Sequence, residues 1–207
     1  MSVREEIKRH NHWMIGIDDG YFPYYYKDKR GYTPLVAVLG RGPVIRDVSV
    51  RMILVDEDRP DDLFIELVLE LVKRSPRERI SSIATDNIIF AGFSVYDPWL
   101  LSDRVGIPVI VVFSHDLNLK RIKVALERHF KDHEYRYSLI ERAYSGSSVI
   151  RTPRGILRIL CVGAEMNYCA NEILYNQTSH KIPQPLKSAD IIASALGRFL
   201  SNNTSSI

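Results

Sequence analysis

Three apolar runs that resemble β-strands follow one another near the start of the chain, before any pattern typical of a helix. They span His12–Ile17, Thr33–Leu39 and Ile45–Val55, and the first ends abruptly at Asp18-Asp19-Gly20. The third run alternates apolar and polar side chains, as a half-buried strand does. Because turn-forming residues separate the runs, we predict an antiparallel meander of three strands.

Helical and strand-like patterns then alternate. The predicted order is a helix over Asp61–Lys73, a strand over Arg79–Thr85, one or two helical turns over Asp97–Arg104 and a buried strand over Ile107–Phe113. Strands that are separated by helices commonly pair in parallel. This order resembles the RNase H-like fold, and the resemblance implies that the first and fourth strands are parallel neighbours. We therefore expect an α/β fold with an RNase H-like mixed sheet, a meander plus parallel strands, flanked by helices.

The remainder of the chain is less regular. We predict an amphipathic helix over Leu117–Phe130, irregular structure or two short strands over Tyr135–Leu160, and helices over Ala164–Asn176 and Pro185–Leu200. A chain of 207 residues can bury a substantial core but is short for two domains. We expect one domain over residues 1–207, with residues 1–11 and 201–207 flexible.

The composition, 45% hydrophobic and 26% charged, is typical of a globular protein. The best apolar run, Val105–Phe113, is interrupted by Gly106 and Pro108, so we expect no membrane span. The charged start of the chain does not resemble a signal peptide, which favours a cytoplasmic location. The spacing of Cys161 and Cys169 matches neither a zinc site nor a redox pair, so we expect ordinary buried thiols. A formal net charge of +3 points only weakly to polyanionic partners.

Acidic residues directly follow two of the predicted strands. Asp18 and Asp19 follow the first strand, and Asp86 follows the fourth. If these strands are parallel neighbours, their carboxylates lie close together, where they would repel each other unless a cation lies between them. Aspartates on rigid strand ends can hold Mg²⁺, which can activate water and neutralise a phosphoryl group during phosphodiester cleavage. The alternative is that both acidic segments simply form turns.

Several spaced motifs resemble those of a known family. They are Gly16-Ile17-Asp18-Asp19-Gly20, Arg41-Gly42-Pro43, Asp86 with the following Phe90–Asp97, Gly106–Val112 and Ile182–Leu186. With these motifs the chain resembles the archaeal endonuclease dU family, formerly a domain of unknown function, which is related to endonuclease V and shares its RNase H-like fold. The resemblance covers most of the chain. It implies a DNA repair nuclease that nicks DNA near a deaminated base, deoxyuridine in the namesake activity and deoxyinosine in endonuclease V.

The resemblance also implies a divalent metal, Mg²⁺ or Mn²⁺. Its ligands would be Asp86 and either Asp18 or Asp19, which would then also be catalytic. Endonuclease V has a further glutamate after its third strand, and the acidic residues in that region here are Asp56, Glu57 and Asp58. The third ligand therefore stays open, and we keep Asp56 as the candidate.

Two positions depart from the family pattern. Asn87 follows Asp86 where the family usually has glycine, but asparagine tolerates a left-handed turn, so the shape of the turn is expected to persist. After the fifth strand, endonuclease V has a lysine, whereas this chain has Ser114-His115-Asp116. His115 could replace that lysine as a proton donor or phosphate contact, or it could be an ordinary surface histidine.

Aromatic and basic residues are interleaved in the loop beyond the first strand. Aromatic rings can stack on unstacked bases, and lysines can contact phosphates. The candidate nucleic-acid contacts are Tyr21, Tyr24, Tyr25, Tyr26, Lys27 and Lys29 in this loop, with Arg41, Phe93 and Lys120 elsewhere. The alternative is a hairpin whose tyrosines pack on its own sheet, with basic residues on ordinary solvated faces.

The sequence thus favours a metal-dependent endonuclease whose partner is DNA. The rival is a catalytically silent nucleic-acid-binding protein that keeps the fold, and a metal-free interaction scaffold is a third possibility. The sequence does not decide between DNA and RNA, among base lesions, or between a monomer and a dimer.

Overall fold

The computed structural model describes residues 12–28 and 30–204. The strands in this part of the chain are β1 His12–Asp19, β2 Tyr32–Arg41, β3 Val44–Leu54, β4 Arg79–Asp86, β5 Ile89–Phe90, β6 Ser94–Val95, β7 Val109–Phe113, β8 Ser148–Thr152 and β9 Gly155–Val162. The α-helices are α1 Asp61–Arg74, α2 Pro98–Val105, α3 Leu119–His129, α4 His133–Ser145, α5 Met166–Asn176 and α6 Gln184–Thr204. A 3₁₀ turn, Tyr24–Tyr26, lies in the loop after β1.

Seven strands form one mixed sheet in the order β3-β2-β1-β4-β7-β9-β8. The first three strands pair antiparallel, and β1, β4 and β7 pair in parallel. The predicted meander followed by parallel strands is therefore confirmed. The sheet also continues beyond β7 through an antiparallel hairpin of β9 and β8.

Helices cover both faces of this sheet. On one face Ile15 and Ile17 of β1 belong to the same buried cluster as Phe64 and Leu67 of α1. On the other face Met14 of β1 is buried in a cluster that includes residues of α5 and α6. Because side chains alternate along a strand, neighbouring residues of β1 point into different halves of the core.

The prediction of irregular structure over Tyr135–Leu160 is wrong in part. Helix α4 occupies His133–Ser145 and is followed by the β8–β9 hairpin. The buried residues of the helix follow helical spacing, but one of them is an arginine; they are Arg136, Leu139, Ile140 and Ala143. That buried cation interrupts the apolar stripe by which a helix is usually identified in a sequence.

The prediction of two free thiols is also wrong, because Cys161 and Cys169 form a disulfide. Cys161 lies in β9 and Cys169 lies in α5, and the turn at Gly163 brings their Cα atoms to 5.9 Å. This separation lies within the normal range for disulfides. The spacing of two cysteines in a sequence does not reveal that a strand and a helix meet in this way.

The last helix is longer than predicted, since α6 continues to Thr204 rather than ending at Leu200. Residues 1–11 and 205–207, for which flexibility is predicted, lie outside the described residues, as does Lys29. Within the described ranges no helix has the length and apolarity needed to span a bilayer.

Candidate metal centre

Asp18 and Asp86 lie side by side at the ends of adjacent parallel strands. Ile17 of β1 pairs with Thr85 of β4, so the next residue of each strand is the neighbouring aspartate. Both side chains are on the sheet face covered by α6, because Gly16 and Ala84, two residues earlier, face that way. The predicted juxtaposition of Asp18 and Asp86 is therefore present.

Helix α6 approaches the sheet closely because Gly16 has no side chain. A Cβ atom at Gly16 would lie 2.2 Å from the backbone nitrogen of Leu186. Ala189 and Ala193 pack on the sheet in the following turns. Asp190, next to Ala189, therefore lies over the same edge, and its charge acts on Asp18, Asp19 and Asp86.

These carboxylates disfavour their own ionisation. Burial raises the pKa of Asp18 well above its usual value, and the charges of Asp19, Asp86 and Asp190 raise it further. Burial also raises the pKa of Asp86, although a hydrogen bond from Ser114 Oγ to its Oδ1, 2.9 Å long, opposes the effect. A group of partly desolvated like charges is a site where a bound cation would relieve repulsion.

Asp19 points to the opposite side of the strand from Asp18. Its Oδ2 accepts a hydrogen bond of 2.9 Å from the backbone N–H of Ala91, in the turn between β5 and β6. Burial raises the pKa of Asp19 to about 7. The sequence left open which of the two aspartates faces Asp86, and strand alternation places Asp18 there.

Asp56 holds two loops through its carboxylate. Its Oδ1 accepts from the backbone N–H of Phe93 and its Oδ2 from that of Asp28, each at 2.9 Å. Gly92, between Ala91 and Phe93, has a φ of +86°, and a Cβ atom there would lie 2.4 Å from Asp56 Oδ1. Asp56 thus supports the Ala91–Phe93 turn rather than joining the Asp18–Asp86 pair.

The donor set fits a hard divalent cation. Asp18, Asp86 and Asp190 offer only oxygen atoms, the ligands that Mg²⁺ prefers, and water or phosphate oxygens usually complete its octahedron. Within residues 12–28 and 30–204, no three carboxylate, imidazole or thiolate groups converge tightly enough to enclose an ion in the observed side-chain conformations. Asp18, Asp86 and Asp190 are the carboxylates that would hold an ion at this edge.

Basic groups also reach this edge. His115 is exposed, and when protonated it partly opposes the burial that raises the pKa of Asp86. Lys181, in the segment between α5 and α6, donates from Nζ to the backbone oxygen of Ser114 at 3.1 Å. Lys181 therefore lies at the end of β7, although it is distant in sequence. At this end endonuclease V has a lysine, whereas this chain has Ser114-His115-Asp116.

A cavity of about 270 Å³ lies on the other side of the Ala91–Phe93 turn. It is lined by Tyr24, Tyr25, Lys27, Asp28, Arg30, Asp56, Phe93, His129 and Phe130. The rings of Phe93 and Phe130 meet edge to face with centroids 5.6 Å apart. Four of the predicted nucleic-acid contacts, Tyr24, Tyr25, Lys27 and Phe93, thus share one cavity.

Arg136 ties two walls of this cavity together. Its side chain is fully buried, and it donates to the carboxylates of Asp132 and Asp58 and to the backbone oxygen of Phe93. Its guanidinium also lies over the ring of Phe130, 4.5 Å from the centroid. The buried cation that obscured α4 in the sequence therefore positions Phe93 and Phe130.

The other predicted contacts are dispersed. Tyr26 packs edge to face on Tyr25. Tyr21 packs near α6, since a Cβ atom on Gly197 would touch its backbone. Lys120 is exposed at the start of α3.

Arg41 lies apart from the other candidates. It stacks on Trp13, with its guanidinium carbon 5.0 Å from the ring centroid. Because β2 runs antiparallel to β1, Arg41 is at the opposite edge of the sheet from Asp18.

Asp190, Ser114 and Lys181 were not identified from the sequence. A carboxylate in the second turn of a helix resembles any solvated acidic residue, and Asp190 indeed pairs with Lys187 Nζ at 2.6 Å. A usable signal was the Ile182–Leu186 motif, which spans the start of α6 at Gln184.

One family model and several archaeal relatives match this chain along most of its length. The model of the family described as endonuclease dU matches residues 10–197. A UPF0215 protein of Thermococcus sibiricus is 33% identical over 184 residues, covering 88% of this chain and 91% of that protein. A UPF0215 protein of Methanothermobacter thermautotrophicus is 33% identical over 196 residues, covering 94% and 90%.

Solved structures show the same fold. A protein of unknown function from Archaeoglobus fulgidus superposes with a TM-score of 0.72 at 22% identity, covering 88% of this chain and 96% of that one. Endonuclease V of Ciona intestinalis, in complex with DNA containing an inosine followed by a ribo-adenosine, superposes with a TM-score of 0.61 at 11% identity, covering 91% and 86%. The predicted RNase H-like, endonuclease V-like fold is confirmed. The chain belongs to the endonuclease dU family.

Proposed function

We propose that this protein is a divalent-metal-dependent endonuclease that nicks DNA beside a deaminated base. The observation that carries the proposal is the pairing of Asp18 and Asp86 at adjacent strand ends, below Asp190, in a member of the endonuclease dU family. Family membership and the endonuclease V-like fold support a nuclease role. The metal, the lesion and the residue roles are our proposals.

Asp18, Asp86 and Asp190 would hold the metal. When bound, Mg²⁺ or Mn²⁺ supplies an activated water and neutralises charge on the phosphoryl oxygens. The hydrogen bond from Ser114 to Asp86 orients that carboxylate, and Lys187 does the same for Asp190. We assign Asp19 and Asp56, which the sequence also offered as ligands, to holding the Ala91–Phe93 turn.

Lys181 and His115 would act on the phosphate rather than on the metal. Lys181 presents an exposed ammonium group beside Ser114, and exposed His115 follows Ser114 in the chain. A cation at this position can neutralise a phosphate oxygen, and a histidine can exchange a proton with a leaving oxygen. Both groups lie beside Ser114, which donates a hydrogen bond to Asp86.

The cavity near Phe93 is suited to an unstacked base. Phe93, Phe130 and Tyr25 supply aromatic surface, and stacking on such rings contributes about 1 to 3 kcal/mol per base. Deamination replaces an amino donor of cytosine or adenine with a carbonyl acceptor. Lys27 and Arg30 in the cavity wall carry donors that can bond such a carbonyl. The inosine-containing DNA bound by endonuclease V of Ciona intestinalis supports this class of substrate.

A nicking assay tests the proposal. Purified protein is incubated with labelled duplexes containing deoxyuridine, deoxyinosine or no lesion, with Mg²⁺ or Mn²⁺. We expect cleavage of a lesion duplex, and Asp86→Asn should lower the rate by about 100-fold or more because it removes a charged ligand. Asp103→Asn, the same change at an exposed aspartate of α2, should leave the rate unchanged.

Two results would refute the proposal. One is that neither the deoxyuridine duplex nor the deoxyinosine duplex is nicked with Mg²⁺ or with Mn²⁺. The other is that Asp86→Asn nicks DNA at the same rate as the wild type. Salt-sensitive DNA binding without any metal-dependent product would instead support the rival, a catalytically silent nucleic-acid-binding protein. If the protein neither binds nor nicks DNA, the result would favour the third possibility, a metal-free interaction scaffold.

A further inference from the structure

The excess of positive over negative charge in this chain is largest on α3 and the turn that follows it. Residues 119–131 contain five lysines and arginines against a single acidic residue, Glu127. The whole chain has 28 basic and 25 acidic residues, a formal net charge of +3. This one segment therefore has a larger positive excess than the entire protein.

Three of the four lysines and arginines of α3 are exposed without an ion-pair or ring partner among the described residues. Lys120, Arg121 and Arg128 are exposed, and none of them forms an ion pair with another described residue. Lys123 differs, since its ammonium group lies 5.3 Å from the ring centroid of Tyr137 in α4. Elsewhere on the surface several arginines are neutralised locally, and the pairs include Arg46–Glu78, Arg51–Glu70 and Arg74–Asp47. The unpaired cations of α3 thus remain available to an external anion.

These cations line one continuous surface. Lys120 and Arg128 lie in one row of the helix, Arg121 and His129 in the next, and together with Val124 and Ala125 they border a shallow groove of about 360 Å³. Eight residues separate Lys120 from Arg128, which corresponds to roughly 12 Å along the helix axis. Phosphates of one DNA strand recur about every 3.4 Å of axial rise, so this length spans several of them.

The surface also connects the two parts of the candidate site. The segment before α3 begins at Ser114, which is hydrogen-bonded to Asp86. The helix ends at His129, and His129 and Phe130 line the cavity near Phe93. A strand of DNA that reaches both the carboxylates and the cavity would pass beside α3.

We propose that Lys120, Arg121 and Arg128 form a docking surface for the phosphate backbone of duplex DNA, which holds one arm of the substrate beside the Asp18–Asp86 edge. The choice of DNA as the polyanion rests on the proposed function. The contact itself is electrostatic and requires neither a lesion nor a metal.

The test measures binding without catalysis. Fluorescence anisotropy of a labelled, undamaged DNA duplex is followed over a range of salt concentrations in EDTA. The triple variant Lys120→Gln, Arg121→Gln and Arg128→Gln removes three charges and keeps good helix formers. A plot of log affinity against log salt concentration has a negative slope, and we expect its magnitude to decrease by about 2 to 3. The affinity at low salt should drop about tenfold or more.

The matched control removes three exposed cations at the opposite edge of the sheet. Lys73→Gln, Arg77→Gln and Arg104→Gln lie near the starts of β4 and β7, and this triple variant should retain the wild-type slope. An unchanged slope for the α3 variant, an equal fall in both variants, or no measurable binding of duplex DNA by the wild type would overturn the inference.

Failure of this inference is distinguishable from failure of the proposed function. A fall in slope confined to the α3 variant, without nicking by the wild type, would support the docking surface and remove the catalytic proposal. Lesion-specific nicking with an unchanged slope would keep the catalytic proposal and remove the docking surface.

Discussion

At the scale of single residues, the two consecutive aspartates at the end of β1 have different tasks. Asp18 faces α6 beside Asp86, whereas Asp19 faces the other half of the core and accepts the Ala91 N–H. A change of one position along a strand reverses the face on which a side chain lies. We therefore propose Asp18 as a metal ligand, whereas Asp19 holds the turn that borders the cavity.

Replacement of Asp19 with asparagine should stabilise the metal-free protein at neutral and alkaline pH. Burial raises the pKa of Asp19 to about 7 in the folded protein, whereas an unfolded aspartate has a pKa of about 4. Below about pH 4 Asp19 is protonated in both the folded and the unfolded protein, so its burial does not lower the free energy of unfolding. As the pH rises from about 4 to 7, the unfolded protein releases this proton before the folded protein does, and the free energy of unfolding falls. Asp19→Asn keeps an oxygen for Ala91 N–H without a charge, so the expected gain at pH 8 is about 2 to 4 kcal/mol.

Urea unfolding in EDTA at pH 4, 6 and 8 measures this effect. The gain should be small at pH 4 and should increase with pH, while the exposed control Asp103→Asn should show no such trend. A gain of the same size at every pH would contradict burial of an ionised Asp19 as the cause.

At the scale of secondary-structure elements, α4 stabilises the cavity through one buried cation. Arg136 contacts Asp132 within the helix, Asp58 after β3 and the backbone of Phe93 after β5. Three segments that are distant in sequence therefore meet at one guanidinium group. A planar group with several donors suits this position because it can bond in several directions at once.

Arg136→Leu should loosen the Phe93 turn and destabilise the fold by about 2 to 3 kcal/mol, since three hydrogen-bonded partners lose their donor. Asp58 and Asp132 are partly exposed and can regain water, which keeps the cost below that of a fully buried pair. Amide hydrogen exchange should show reduced protection at Phe93, whose N–H bonds to Asp56. Urea unfolding gives the free energy.

The control for this variant is Arg142→Leu on the same helix. Arg142 is exposed and stacks on Trp99 at 3.7 Å, so its loss should cost less than about 1 kcal/mol and leave Phe93 protected. Unaltered exchange at Phe93 in Arg136→Leu would show that the turn is held by other contacts.

At the scale of the whole molecule, the site depends on the sheet and α6 together. Asp18 and Asp86 come from the central strands, while Asp190 comes from the last helix, and Gly16 allows that helix to lie directly on β1. The site is complete only when the C-terminal helix has docked. Metal binding should consequently stabilise the folded protein as a unit.

Mg²⁺ or Mn²⁺ should raise the thermal unfolding temperature at pH 8, because burial raises the pKa of Asp18 and Asp86 and a higher pH favours the deprotonated carboxylates that bind a cation. A ligand at 100 times its dissociation constant stabilises a folded protein by about 2.7 kcal/mol. Asp18→Asn and Asp86→Asn should each abolish most of the shift, and Asp103→Asn should retain it. A shift of equal size in all variants would indicate that the metal binds elsewhere.

The sequence by itself determined the order of the long strands and helices from β1 to α3 and the position of aspartates at two strand ends, whereas it missed α4. Apolar periodicity and turn residues are local properties, and they predicted the meander, the parallel strands β4 and β7 and α1 without reference to distant residues. The family motifs, which lie along the same local segments, added the fold and the expected chemistry. The side-by-side placement of Asp18 and Asp86 followed from that fold.

The tertiary structure decided which residues that are distant in sequence contact one another at the candidate site and the cavity. Asp190 lies 172 residues after Asp18, Lys181 reaches Ser114 across 67 residues, and Arg136 joins segments up to 78 residues apart. The Cys161–Cys169 disulfide likewise depends on how β9 meets α5. These contacts arise from the packing of whole elements against one another, which local periodicity does not encode.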